Sequence, residues 1–259
     1  MRQYFGILAL FLGIFLSKSF GGVFCENTYC TEYKVGVGIQ GGMHNAKSLD
    51  ASNALASLHI DTNIWRKWFY FGFKGQFGLG CAWITRQDSK TQATYDNIGV
   101  RFALGLPINA VFSSTPSIAL SEPIFLYLTL GIGINDYAHK VSLPSQKRNA
   151  VGLGIAGIHT FRESWNFEYA LEYGYIYNAH YKYSPQVLGL RENIKIGNNN
   201  HDLRVSLGLT QSKGYGFYTR LSGIYRILDS TIEGTFVYPQ STQAIGMFEM
   251  GMSLGSLGL

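Results

Sequence analysis

From about residue 33 onward, apolar and non-apolar residues alternate in short runs, and this two-residue period restricts the chain more than any other feature. Successive side chains of a strand point to opposite faces, so the period implies strands with one apolar face and one small or polar face. Ten such runs follow one another. Val35, Val37 and Ile39 alternate with Lys34, Gly36, Gly38 and Gln40. Phe69, Phe71 and Phe73 alternate with Tyr70, Gly72 and Lys74, and Leu126, Leu128 and Leu130 with Tyr127, Thr129 and Gly131. The last run sets Phe248, Met250, Met252 and Leu254 against Met247, Glu249, Gly251 and Ser253.

Periodicity alone fits either a soluble sandwich, with its apolar rows facing a shared core, or a membrane barrel, with those rows facing lipid. The connections separate the two. Short turns are expected at 65–68, 161–165 and 211–216, and a somewhat longer one at 107–117. Longer polar connections are expected at 43–53, 85–96, 136–149, 178–200 and 228–243. Short and long alternate, as short periplasmic turns and longer outer loops do in outer membrane barrels. The sequence therefore predicts an all-β, up-and-down antiparallel transmembrane β-barrel of about ten strands in the bacterial outer membrane, with both termini on the periplasmic side. Trp65, Trp68 and Trp165 flank short turns, where an interfacial aromatic girdle belongs. Composition agrees. Only 14% of the 259 residues are charged, against roughly 25% in soluble domains, while 15% are aromatic and 31 are Gly.

Residues 1–22 read as a signal peptide, with Arg2, an apolar core over 4–16 and small residues from Ser17 to Gly22. Residues 23–32 are expected to form a short periplasmic N-terminal segment, and 33–259 the barrel domain. Cys25 and Cys30, in C-E-N-T-Y-C, are candidates for a small disulfide loop in an oxidising periplasm. No second Cys/His pair stands at metal-site spacing, so no metal or cofactor is expected. Cys81 falls on the lipid-facing row. The net charge of +5 is scattered, with no basic tract that would suggest nucleic acid.

The inward rows carry Lys34, Lys74, Arg101, Arg204, Arg220 and Arg226 together with Asp61, Glu168, Glu172 and Glu249. Opposite charges on facing walls can pair and fill a narrow interior, and inward Gly and Ala leave room for these long side chains. Barrels of about eight strands are filled by their own side chains, and open aqueous channels come at about sixteen. Ten strands should thus be closed or very restrictive. A narrow ion or small-solute channel, porin-like and favouring anions because basic residues predominate, is the alternative. Gly36–Gly41 and Gly152–Gly157 match G-x-G-x-x-G but lie within alternating runs with no helical period after them, so they read as inward small residues. His59 is inward near Asp61 with no nucleophile placed beside it. His201-Asp202 is expected as a solvated pair at the outer rim. Omptin proteases, also ten-stranded, use acidic and His residues near the rim; the likeness stops at strand number and this dipeptide.

The outer loops are the expected binding surface. Loop 178–200 offers Tyr181, Tyr183 and Arg191, residue types favoured at binding hot spots. The Phe-rich leader and the repeated V-G-V-G and L-G-I-G strands resemble the Helicobacter-type outer membrane protein families over about residues 33–254. That resemblance implies the same barrel. It also implies recognition by the barrel-assembly machinery, although the chain ends at Leu259 rather than on an aromatic. The expected role is non-enzymatic, structural or in adhesion, with outer membrane lipid and an extracellular ligand at the long loops as partners.

Overall fold

Each of the ten alternating runs lies inside a longer antiparallel strand. The computed structural model describes residues 23–26, 29–47, 49–86, 89–138, 145–162, 164–182, 193–212, 216–233 and 236–254; the leader lies outside them. The barrel strands are β2 (Tyr29–Ala46), β3 (Leu49–Arg66), β4 (Phe69–Arg86), β5 (Ser89–Pro107), β6 (Ile124–Ala138), β7 (Ser145–Arg162), β8 (Trp165–Lys182), β10 (His201–Gln211), β11 (Phe217–Leu228) and β14 (Ser241–Leu254). Each pairs with its sequence neighbour among these ten, and β14 pairs with β2 through fourteen residues from Ser241↔Ala46 to Leu254↔Tyr33. The sheet therefore closes on itself and leaves no barrel edge. A short β1 (Phe24–Glu26) forms a hairpin with the start of β2, held by a Cys25–Cys30 disulfide. The barrel wall thus begins at Tyr29, earlier than expected, and takes in the last part of the expected N-terminal segment.

The connections differ from those expected. The connections expected at 43–53 and 85–96 shrink to two residues each, between β2 and β3 and between β4 and β5. The longest connection at the end of the barrel that carries the termini is instead 108–123, which holds α1 (Ile108–Val111) and α2 (Pro116–Ser121). At the other end, β9 (Asn193–Lys195) pairs with the end of β8, and β12 (Thr231–Glu233) and β13 (Phe236–Tyr238) form a small hairpin. Tight turns were not legible because the strands outlast their apolar alternation. Beyond the lipid-facing rows the outward positions turn polar, with Asn45, Asp50, Ser52 and Lys90 exposed. Inward positions there turn apolar, with Ala51, Leu55, Ala82, Ile84, Ala93, Tyr95 and Tyr137 forming a buried cluster. The two faces exchange polarity where the wall leaves lipid and enters water. An 18-residue strand such as β3 is about 60 Å long at roughly 3.3 Å per residue. Tilted by about 40°, it rises roughly 45 Å, well past an apolar band of about 25 Å.

Lipid-facing residues include Val37, Ile39, Leu79, Leu104, Leu128, Leu153, Leu207 and Leu221, all exposed in the isolated barrel. Cys81 is free and on this outward row. Of the three expected girdle tryptophans, Trp68 is exposed beside its turn, but Trp65 is fully buried and is not a girdle residue. Strand parity explains the difference: Trp65 continues the inward row of Asp61 and Asn63. Its Nε1 donates to the Leu120 carbonyl at 2.9 Å, its ring packs edge-on against Phe125, and Tyr70 stacks on the same Phe125. With Ala110, Tyr127 and Ile158 they seal the barrel around the α1–α2 segment.

Trp65→Ala should lower the unfolding free energy by about 3–5 kcal/mol, the usual cost of emptying an aromatic site, whereas Trp68→Ala should cost clearly less. Urea titration of the protein folded in lipid vesicles, followed by gel mobility, checks this contrast.

Candidate functional site

The inward rows of all ten strands meet in the lumen, and the expected charges come together there. Among the described residues, three Lys or Arg ion pairs join strands that are not neighbours. Lys34 on β2 contacts Glu168 on β8 at 2.6 Å, Arg101 on β5 holds both oxygens of Glu172 on β8 at 2.8 and 2.7 Å, and Arg220 on β11 reaches Asp61 on β3 at 2.5 Å. Further contacts knit these struts together. Arg220 also approaches Glu249 at 3.1 Å, His59 Nδ1 lies 3.3 Å from the same carboxylate, and Ser57 bonds His59 Nε2 at 2.7 Å. Thr210 donates to Glu168. Lys74 sits opposite Asp61 in the β3–β4 ladder and makes no ion pair among the described residues.

Several members of this network were absent from the expected set. Glu32 is buried 2.8 Å from Lys34; it extends the β2 row backwards beyond the point where apolar alternation begins. Gln146, Gln243, His44 and Arg148 continue inward rows upward, beyond the alternating runs, and join Gln40 and Gln76, which the alternation already places inward. Extending the parity of each run by two or three turns of the pleat would have found them. Glycine makes space for this filling. A Cβ on Gly36 would meet the Tyr218 hydroxyl at 2.2 Å, and one on Gly154 would meet the Tyr127 ring at 2.5 Å. Both G-x-G-x-x-G stretches lie within strands β2 and β7.

His201 and Asp202 do not form a rim pair. They are consecutive in β10 and so point to opposite faces of the wall. His201 lies outside, bonded to the Tyr173 hydroxyl at 2.6 Å and to Asn199 Oδ1 at 2.6 Å. Asp202 is buried in the lumen and accepts from Arg204 Nη2 at 2.6 Å. The two side chains cannot act on one substrate.

Tyr181 is likewise not a loop residue. It lies on β8, which runs to Lys182, and is fully buried. The β7–β8 register slips between Asn149 and Val151, so β8 carries one extra residue there and its parity flips. Tyr181 then turns inward against Tyr238 and joins Ile176, Ile194, Ile196 and Leu228. Tyr183 and Arg191 lie outside the described residues. The lumen is therefore layered: an apolar seal around α1–α2 and Trp65, an ionic middle, and two apolar clusters above. Within the ionic layer remains a cavity of ≈ 120 Å³, lined by Lys74, Arg101, Arg148, Glu172, Asp202, Arg204 and Arg226 among others.

Removing Arg220 would strand Asp61 and Glu249 in this interior. Arg220→Met should destabilise the barrel by about 3–5 kcal/mol, the cost of breaking a buried pair from one side. Adding Asp61→Asn should recover part of that loss, and a double-mutant cycle of unfolding free energies reads the coupling directly.

No protein-family model matches this chain, and no curated protein matches it by sequence. Solved barrels resemble it. The outer membrane protease OmpT from Escherichia coli aligns over 93% of this chain and 99% of its own, at 9% identity and a TM-score of 0.45. Neisserial surface protein A (NspA) aligns over 86% of this chain and 97% of its own, at 9% identity and a TM-score of 0.35. The translocator domain of autotransporter NalP from Neisseria meningitidis aligns over 97% and 94%, at 10% identity and a TM-score of 0.35. The likeness is one of fold alone; this chain's own barrel is closed, antiparallel and ten-stranded.

Proposed function

We propose that this protein is a closed, non-conducting and non-enzymatic barrel of the bacterial outer membrane, whose part is structural or in presenting its outer pole to a ligand. One observation carries the reading: the ionic layer is capped by apolar packing at both ends. Below it, Trp65, Phe125 and Leu120 are buried against one another; above it stand Tyr95 and Tyr137 on one side and Tyr181 and Tyr238 on the other. A hydrated ion following the lumen would have to cross both seals. The cross-lumen pairs add to the obstruction, because Lys34–Glu168 and Arg101–Glu172 span the space a channel would need.

Outer membrane placement rests on the lipid-facing aliphatic rows and on the closed sheet, the one strand arrangement that leaves no backbone group unpaired in hydrocarbon. Insertion would then require the barrel-assembly machinery. Kinship with the Helicobacter-type families stands on the leader and the V-G-V-G and L-G-I-G strands alone. A non-enzymatic role is supported by the separation of His201 from Asp202 across the wall. The outer pole departs from a set of long free loops. Two of its connections are tight, so a ligand would meet the strand ends between Asn193 and Tyr238 and the polar outer faces near Asp50 and Lys90.

The refolded protein in a planar bilayer should be electrically silent, with folding verified by heat-modifiable gel migration. A stable, reproducible conductance from folded protein would overturn the closed reading and put the channel in its place.

A further inference from the structure

The charges of the lumen are not evenly distributed. In the lower ionic layer, Lys34, Lys74 and Arg220 face Glu32, Asp61, Glu168 and Glu249. In the upper layer, Arg101, Arg148, Arg204 and Arg226 face, among the described residues, only Glu172 and Asp202. Glu172 is taken by the two-oxygen grip of Arg101, and Asp202 by Arg204 at 2.6 Å. Among the described residues, Arg148 is left without a carboxylate, and Arg226 only shares Asp202 with Arg204. The nearest approach is Arg226 Nη2 to Asp202 at 3.6 Å, beyond hydrogen-bond distance.

Both guanidiniums are buried, Arg226 with no exposed surface at all. Arg226 Nη1 donates to Gln243 Oε1 at 2.6 Å, and Gln243 in turn donates across the lumen to Gln146 Oε1 at 2.8 Å, so the guanidinium is held in place. Arg148 is seated on bare backbone, since a Cβ on Gly133 would lie 2.8 Å from its Cζ. Among the described residues, four guanidinium nitrogens have no hydrogen-bonding partner: Arg148 Nη1, Arg204 Nε, which lies 3.6 Å from Glu172, and Nε and Nη2 of Arg226. A buried cation with too little counter-charge is costly, and two beside each other under an apolar cap are more so. All three arginines line the same ≈ 120 Å³ cavity. That is several times the roughly 10–15 Å³ one water needs.

From this juxtaposition of positioned guanidiniums, each with N–H groups left without a hydrogen-bond acceptor, around one cavity, we infer that the upper lumen is an anion site, holding a small tetrahedral oxyanion such as inorganic phosphate or sulfate between Arg148, Arg204 and Arg226. Forked N–H donors suit such oxygens geometrically, which a spherical halide does not exploit. The inference rests on the closed-lumen reading, because a sealed barrel acquires the anion as it folds and retains it as a counter-charge.

The test refolds the protein into detergent micelles in gluconate at fixed ionic strength, with inorganic phosphate added at low millimolar levels before folding. The thermal midpoint is read from the gel-mobility shift. Phosphate should raise it saturably, by about 2–4 °C or more. The shift should vanish in Arg226→Gln and in Arg148→Gln, either of which suffices if the other does not fold. A wild-type midpoint indifferent to phosphate overturns the inference. So does a shift that climbs without saturating or survives in either variant, as general salt exclusion would produce. A phosphate-dependent midpoint in a barrel that conducts would instead remove the closed reading and leave the site standing.

Discussion

Closure of the sheet is the constraint from which the remaining features follow. A strand in hydrocarbon has no water to satisfy its backbone, so β14 must meet β2 along its whole length, as it does from Ser241 to Leu254. Closing ten strands fixes a narrow interior, and a narrow interior must be filled. Long charged side chains fill it here because inward glycines on neighbouring strands cede the space. Those side chains then have to satisfy one another, and pairs such as Lys34–Glu168 and Arg220–Asp61 do so across the lumen rather than along the wall.

Solvent sets the second level of organisation. At membrane depth lipid claims the apolar row and the polar row turns inward. Above the membrane, water claims the polar row, and the same wall packs Leu55, Ile84, Tyr95 and Tyr137 inside as an ordinary hydrophobic core. One continuous strand thus serves two environments by exchanging the polarity of its faces, without a loop or a break. The outer apolar clusters pack inside the barrel there as a by-product of that exchange.

The strand number, the facing of every alternating run and most of the ionic layer were legible in the sequence, because each depends on a period of two that any long stretch displays. The tight turns at the outer end were not. They lie where Asn45 and Asp50 or Arg86 and Ser89 face each other across a ladder whose outward residues are polar, and polar stretches between apolar runs read as loops. The burial of Tyr181 depends on a single extra residue in β8, and no pattern in the sequence marks the bulge. Trp65 was misplaced for another reason: its neighbours in the turn suggested a girdle, while its parity already pointed it inward. The α1–α2 seal lies in a stretch whose apolar residues, Ile108 to Val111 and Ile118 to Leu120, are too few to show a helical period.

An ionic lumen is a poor choice if stability alone is counted, since well-packed apolar residues of similar size often hold a core as well or better. It is a good choice for specifying which face is which. Shifting a strand by one residue exchanges its faces. A barrel apolar on both sides would bear such a slip at little cost, and strands with interchangeable faces have no unique register. Here a slip of β3 would carry Asp61 into lipid and leave Arg220 with Glu249 alone, and a slip of β8 would carry Glu168 and Glu172 into lipid at once. Because each cross-lumen pair joins strands distant in sequence, an error in one strand penalises its partner across the barrel. The charges therefore act as checks on the assembled whole, and around Arg148 and Arg226 the interior is, among the described residues, short of counter-charge.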